Sequence, residues 1–280
     1  MKGIAFFLEG DTEYDFILKL LRSNYCELGE PEEKKIPKGM GQLYLVKSLD
    51  GQYCIRIRIV KGGNIDKATN TATNELSDED SFNKLKREGY SIFICLRDVR
   101  GGKNDNTPYT YHDIVNIKKT DTKTLLSRFN SNNDAATYSI LSVMEIETWF
   151  IAETSHYERM DKNLTKQYIE DNIEQIKDNI NPFECSLKKI EEPSDTLKSI
   201  YKLSPKNKKP KYGKDKKHRN KTINILDYYL LTTEVAKRIE EDLQPELSET
   251  KLPLKYNDKF GSLLTLVNAL DKFFGKSTTL

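Results

Sequence analysis

Glu9, Asp11 and Glu13 stand close together in the run Leu8-Glu9-Gly10-Asp11-Thr12-Glu13. Carboxylates where an apolar strand turns into a helix stand where a metal-binding enzyme places hard oxygen ligands. Asp98 follows a second apolar run that ends at Leu96. In open α/β sheets ligands gather outside the carboxyl ends of the strands, so two strand ends with carboxylates predict a divalent-metal site. Glu145 and Glu147 form a third acidic pair. With one residue between them, their side chains lie on opposite faces of a strand or about 200° apart on a helix. They therefore cannot both enter one site without a bend, and one of them is expected to be structural.

These acids need elements to position them. Residues 4–8 read as an apolar strand, with a helix beginning near Asp11. Thr12 and Asp15 fit a variant capping box, and Phe16, Leu20 and Leu21 share one helical face. Residues 54–60 alternate apolar with basic, which predicts a strand with one buried and one wet face. A turn at Lys61-Gly62-Gly63-Asn64 follows. A polar helix is expected over 78–88 and stops at Gly89, and the unbroken apolar run 91–96 fits a central strand. Beyond it come a polar loop over 103–111, a helix over 122–129, a strand over 138–144 and another helix opening at Glu145. Trp149 and Phe150 are expected to anchor that helix in the core.

Strands alternating with helices over residues 1–153 predict an α/β fold with a mainly parallel sheet covered on both faces. Residues 154–280 read as a Lys-rich helical cap packed on that domain. In it, residues 155–200 are charged and helix-prone, 204–222 form a basic loop, and two helices cover 223–243 and 258–274. The chain of 280 residues is 37% hydrophobic, enough to bury a core. Four scattered cysteines, with no CxxC pair, read as reduced thiols of an intracellular protein. No apolar run approaches the ~18 residues of a membrane helix, and the N-terminus lacks the order of a signal peptide. A cytoplasmic protein without membrane association is expected.

Formal net charge is only +2, from 45 basic and 43 acidic residues, so the whole molecule is no polycation. Its local distribution matters more. Between Lys206 and Lys221, nine basic residues face the single acid Asp215. Such a block attracts phosphate by counterion release. Lys209, Lys211, Lys214, Lys216, Lys217 and Arg219 are the candidate phosphate contacts, with Tyr212 available for base stacking and Gly213 giving the backbone room. A solvated loop is the plainer account of the same composition. His112, His156 and His218 are too dispersed for a metal triad, and there is no G-x-x-x-x-G-K-[ST] loop, so any nucleotide hydrolysis must come from a partner.

Phe7-Leu8-Glu9-Gly10-Asp11-Thr12-Glu13 resembles the VEGxTE opening of TOPRIM-like proteins, the nucleotidyl-transfer fold of topoisomerases, primases and OLD-type nucleases. Three further features narrow the likeness: Gly62-Gly63-Asn64, Leu96-Arg97-Asp98, and Met144-Glu145-Ile146-Glu147-Thr148-Trp149-Phe150-Ile151-Ala152-Glu153. Together they are similar to the TOPRIM-like family DUF4276, in which an E-L-E-A-W-L-L-A-D segment recurs. Lys259-Phe260-Gly261-Ser262-Leu263 before a final helix also fits that family's ending.

The resemblance implies a TOPRIM site holding Mg²⁺ or Mn²⁺. Glu9 would be the general acid/base or first metal ligand, and Asp98 the first aspartate of a DxD pair. Arg100 stands where the second aspartate belongs, and a guanidinium cannot ligate Mg²⁺. Glu13, Glu145 or Glu147 would then replace the lost ligand, or one metal would suffice. Arg97 or Arg100 would stabilise transition-state charge instead. Asp11 and Glu13 fit equally well as complements to a helix N-terminus, worth ~0.3 to 1 kcal/mol. The resemblance further implies an ABC- or AAA-type ATPase partner. Two functions follow: a Mg²⁺-dependent nuclease-like effector acting on DNA or RNA in bacterial antiphage defence, or a catalytically degenerate subunit that binds nucleic acid or regulates. Oligomeric state, including a homo-oligomer, stays open.

Overall fold

The computed structural model describes residues 1–36, 41–60, 79–99, 136–143, 145–172, 192–205, 210–213, 215–248 and 260–276. Several sequence expectations fall outside these residues: the Gly62-Gly63-Asn64 turn, the loop 103–111, the helix 122–129, Arg100, Met144, Cys185, Lys209, Lys214 and Lys259.

Strand β1 (Lys2–Leu8) is buried from Gly3 onward, on both of its faces. Continuous burial is what a central strand of a parallel sheet requires. It pairs in parallel with β4 (Tyr53–Ile59) on one side and β5 (Tyr90–Val99) on the other. Strand β5 continues in parallel to β6 (Ala136–Val143), and β6 to a two-residue β7 (Phe260–Gly261). Beyond β4 lie β3 (Gln42–Lys47) and β2 (Glu32–Lys34), both antiparallel, so the seven-stranded order is β2-β3-β4-β1-β5-β6-β7. Helices flank this mostly parallel mixed sheet. The architecture is α/β, as expected, although β2 and β3 were not foreseen.

One sheet face carries Ile4, Phe6, Leu8, Ile55, Ile57, Ile59, Ile92, Ile94 and Leu96 into the larger core. Helix α1 (Asp11–Asn24) buries Phe16, Ile17, Leu20 and Leu21 against it. Helix α3 (Glu147–Ala152) sends Trp149 edge-on to Phe16, ring centroids 5.6 Å apart, so the expected anchor is present. The opposite face holds Ala5, Phe7, Phe93 and Cys95, covered by Phe82 and Leu85 of α2 (Glu79–Arg87). Gly89 ends that helix with φ +93, and an added Cβ would lie 2.7 Å from the Met1 carbonyl oxygen.

The second face is not wet at β4. Arg58 is buried and Arg56 half-buried, the Arg56 guanidinium lying 5.6 Å from the Phe7 ring centroid. Alternation along β4 was read correctly, but register with Phe7 brings its basic side chains under cover. The Thr12 cap is also corrected. Helix α1 starts at Asp11 with Gly10 as an extended N-cap and no side-chain cap bond, so Thr12 already lies inside the first turn.

The C-terminal half completes the larger core rather than building another. Short helices α4 (His156–Met160), α5 (Lys166–Asp171) and α6 (Pro193–Lys202) contribute Tyr157, Ile169, Leu197, Ile200 and Tyr201. Part of the expected 204–222 loop is helix α7 (Lys216–Ile225), capped by the Asp215 carboxylate on the His218 N–H. Arg219, Thr222 and Ile223 share its buried face at helical spacing. A single helix over 223–243 does not form, because Leu226 is extended at φ −59, ψ 142. Asp227 then caps a new start, α8 (Tyr228–Leu230), followed by a π turn (Leu231–Val235) and α9 (Ala236–Ser248). The last helix, α10, spans Leu263–Phe274, and Phe260–Gly261, expected in helix, are the strand β7.

Candidate metal centre

Parallel pairing sets Leu8 beside Leu96, so the residues after both strands emerge at the same sheet edge. Glu9 leaves β1 there, and its Oε2 accepts the Asp98 backbone N–H at 3.0 Å. Asp98 Oδ1 accepts the Ser142 hydroxyl at 2.5 Å and the Ile146 N–H at 3.0 Å. Three strands and the approach to α3 therefore fix Asp98. Glu13, one turn into α1, is buried, and an added Cβ on Gly10 would stand 2.9 Å from its Oε2. The glycine in the Glu-Gly-Asp-Thr-Glu run thus gives the Glu13 carboxylate its room.

Electrostatics draws the group together. The Asp98 carboxyl is raised well above the ordinary range, first by burial, then by the charges of Glu13, Glu9 and Glu147, against a lowering by Ser142. Four carboxylates therefore act on one locality, formed from β1, α1, β5 and the start of α3. Repulsion among buried like charges is relieved by protonation or by a cation.

Glu145 and Glu147 divide as their spacing requires. Both are buried, but Glu145 Oε2 accepts the Ser194 N–H at 3.0 Å and so serves the N-terminus of α6. Glu145 is thus tied to a helix end, as expected of the structural member of the pair. Glu147 faces the Asp98 locality and accepts the Tyr212 hydroxyl. Arg97 is buried and, by strand alternation, shares the face of Phe93 and Cys95, opposite Asp98. It is therefore not the cation beside the carboxylates. Arg100 lies outside the described residues.

Among the described residues, no three His, Cys, Asp or Glu side chains are spaced to enclose a metal ion. Mg²⁺ asks less than a closed cage. It takes one or two carboxylates and completes its octahedron with water and substrate phosphate. Glu9, Glu13, Asp98 and Glu147 offer only hard oxygen donors, so their chemistry fits Mg²⁺ or Mn²⁺.

The described part of the basic segment reaches this acidic locality through Tyr212. Lys211, Lys216 and Lys217 are exposed. Tyr212 is buried, its hydroxyl spent on Glu147, which corrects the expectation that it stacks on bases. Arg219 is buried too, donating to Asp15 Oδ2 from Nε at 2.7 Å and Nη2 at 2.5 Å, so its charge is committed within the fold. The space beside Gly213 is taken by Asp215, whose Oδ2 would be 2.8 Å from an added Cβ. Sequence reasoning missed Ser142, the Tyr212–Glu147 bond and the Asp15–Arg219 pair. Only Ser142 left a trace, as a polar residue in an apolar strand.

His156 and Glu153, both buried, are held by partners within the fold. His156 is wholly buried, its Nε2 3.0 Å from the Tyr201 hydroxyl, and burial lowers its pKa to about 3. Glu153 accepts from Ser155, Arg159 and the Asp227 N–H. Cys26 and Cys54 are free thiols. Among the described residues, no helix is long and apolar enough to cross a membrane. Comparison with protein-family models, with curated proteins and with solved structures gave no match.

Proposed function

We propose that this chain is a Mg²⁺-dependent, TOPRIM-like nuclease effector that hydrolyses phosphodiester bonds in DNA or RNA. The carrying observation is that Glu9 and Asp98 meet where β1 and β5 run side by side, Glu9 Oε2 accepting the Asp98 N–H at 3.0 Å. Burial and the nearby charges of Glu13, Glu9 and Glu147 push the Asp98 carboxyl upward, in keeping with an acidic site. Glu9 and Asp98 are the proposed metal ligands, with Glu13 and Glu147 completing the negative field. A bound Mg²⁺ there would neutralise nonbridging phosphate oxygens and make water a stronger nucleophile. Glu9, at the strand end, is placed to accept or return a proton. Exposed Lys211, Lys216 and Lys217, on a segment bonded to Glu147 through Tyr212 and to Asp15 of α1 through Arg219, would hold the sugar-phosphate chain.

The VEGxTE-like opening extends the proposal to a cytoplasmic role in antiphage defence, with an ABC- or AAA-type ATPase partner restraining the activity. The test is cleavage of plasmid DNA and total tRNA by wild type and Glu9→Ala in Mg²⁺, Mn²⁺ or EDTA, with and without such a partner. Metal-dependent cutting that Glu9→Ala abolishes supports the nuclease.

A second reading has its own support. Because no three described acids are spaced around a metal ion, a degenerate module that binds nucleic acid through its lysines is also consistent with the geometry. It predicts binding without metal dependence and no cutting under any of these conditions.

A further inference from the structure

At the far end of α1 from the acidic residues, a cleft of about 700 Å³ opens between that helix, the π turn and α10. Its size is that of a small-molecule site. Helix α1 has 14 residues, so about 20 Å separates the cleft from the helix start near Glu9. Hydrogen bonds fix its walls. Asn24 Nδ2 donates to the Tyr228 carbonyl at 2.9 Å and to Thr232 Oγ1 at 3.1 Å. The Tyr25 hydroxyl donates to Asp271 Oδ1 at 3.0 Å, and burial with the Asp271 charge raises that phenol above its ordinary pKa, so it stays a donor. Gly275 ends α10 at φ +69, and Lys276 beyond it reaches the Asn24 carbonyl, its ammonium 4.7 Å from the Tyr25 ring centroid.

Both signs of charge and an open ring remain in this space. An ammonium has three donors, of which Lys276 gives one to Asn24, and Asp271 has a second oxygen beside the one that Tyr25 engages. Lys237 is exposed and lines the same cleft. Tyr229, also in its lining, is 72% exposed and is the one exposed aromatic ring among the described residues. Between Tyr229 and Lys237 runs the π turn, a feature that recurs at functional sites. We propose that this cleft binds a nucleoside phosphate: Lys237 and Lys276 hold the phosphate oxygens, Asp271 accepts from the ribose hydroxyls, and the Tyr229 ring stacks on the base. A free phosphate would use the lysines alone, and a nucleoside only the ring and the acid. A nucleotide uses all four, through charge-assisted hydrogen bonds and stacking. The site is separate from the acidic centre and does not depend on the metal-dependent reading given above.

The experiment titrates ADP, ribose 5-phosphate and adenosine into the full-length protein by calorimetry. EDTA is present throughout, which keeps any metal at the acidic residues out of the measurement. Wild type is compared with Lys237→Gln, Lys276→Gln, Tyr229→Ala and, in the basic segment, Lys217→Gln, and melting checks that each is folded. Wild type should bind ADP more tightly than either fragment. Binding of ADP should weaken at least about 10-fold in Lys237→Gln and in Lys276→Gln, each of which loses a charged hydrogen-bond donor. Tyr229→Ala should weaken ADP by about 10-fold and leave ribose 5-phosphate unaltered. Lys217→Gln should bind ADP as wild type does. Failure of wild type to bind ADP, or equal affinity in wild type and Lys237→Gln, overturns the site. Ribose 5-phosphate bound as tightly as ADP overturns the nucleotide assignment. A loss in Lys217→Gln as large as that in Lys237→Gln puts the anion on the basic segment and overturns the cleft. Lys276 also holds the end of α1, so if Lys276→Gln is unfolded, Lys237→Gln and Tyr229→Ala, which alter exposed side chains, decide the outcome.

Discussion

The backbone N–H of Asp98 donates to Glu9 Oε2 at 3.0 Å, tying the end of β5 to the end of β1. One carboxylate is thus oriented by the strand that carries the next. The arrangement brings negative charges together at a cost that a cation would offset, and the cost is measurable without any substrate.

Asp98 gives the first prediction. Its folded pKa is raised, so between its unfolded and folded values the native state binds a proton that the unfolded chain lacks. Stability in EDTA should therefore fall as pH rises through the folded value. Asp98→Asn keeps an acceptor for Ser142 and Ile146 without the charge. It should lack that decline and exceed wild type at pH 8 by on the order of 1 kcal/mol in urea denaturation. Coincident pH profiles would refute the charge cluster.

Gly10→Ala tests the fit of Glu13. The new methyl would approach Glu13 Oε2 to 2.9 Å and must displace it, while the extended Gly10 backbone accepts alanine without strain. Nuclease activity should fall by roughly 10- to 100-fold, with stability changed by less than about 1 kcal/mol. Activity equal to wild type would separate Glu13 from the chemistry.

Arg219 and its lysine neighbours should behave differently although one basic run contains them all. Arg219→Gln leaves the half-buried Asp15 carboxylate without its guanidinium and should cost up to about 3 kcal/mol. Adding Asp15→Asn should recover much of that loss. Lys216→Gln and Lys217→Gln should leave stability nearly unchanged, and each should reduce the salt dependence of nucleic-acid binding by about one unit of slope. Thermal melts and binding titrations across salt concentrations decide between the two behaviours.

His156 imposes a slope of opposite sign to that of Asp98. Its pKa is lowered to about 3 by burial, so the unfolded chain takes up a proton that the native state refuses. The stability at stake is fully present above the ordinary histidine pKa of about 6.5 and is lost as pH falls toward 3, by up to about 1.4 kcal/mol per pH unit. Glu153, raised by burial, works the other way, so the comparison must be with His156→Gln in the same buffers. A slope unchanged in that variant would remove His156 from the acid response.

Local pattern made the strands around 4–8, 91–96 and 138–144 legible, as well as the helix start at Asp11 and the burial of Trp149 and Phe150. Each is written in consecutive residues. Helix α7 was hidden because its lysines dominate the composition, while its buried face consists of Arg219, Thr222 and Ile223. The break at Leu226 carries neither glycine nor proline, and only the Asp227 cap marks it. Of the site, Glu9 and Asp98 could be picked from strand ends. Choosing between Glu145 and Glu147 required partners Ser194 and Tyr212, which are 49 and 65 positions away. Burial of Arg58 depended on what covers the sheet, which alternation alone does not record.

Strand β7 is two residues long and comes from the far end of the chain, pairing Phe260 with Ser139 and Gly261 with Ile140. Gly261 is pressed so close to Thr265 that an added Cβ would lie 1.8 Å from its hydroxyl oxygen. A ribosome must therefore deliver residue 261 before β6 acquires its outer neighbour. Until then β6 lacks that partner, and a strand edge left open to other chains is a known route to aggregation. Chains cut short before β7 should accumulate in inclusion bodies even though every acidic residue of the candidate centre has already been made.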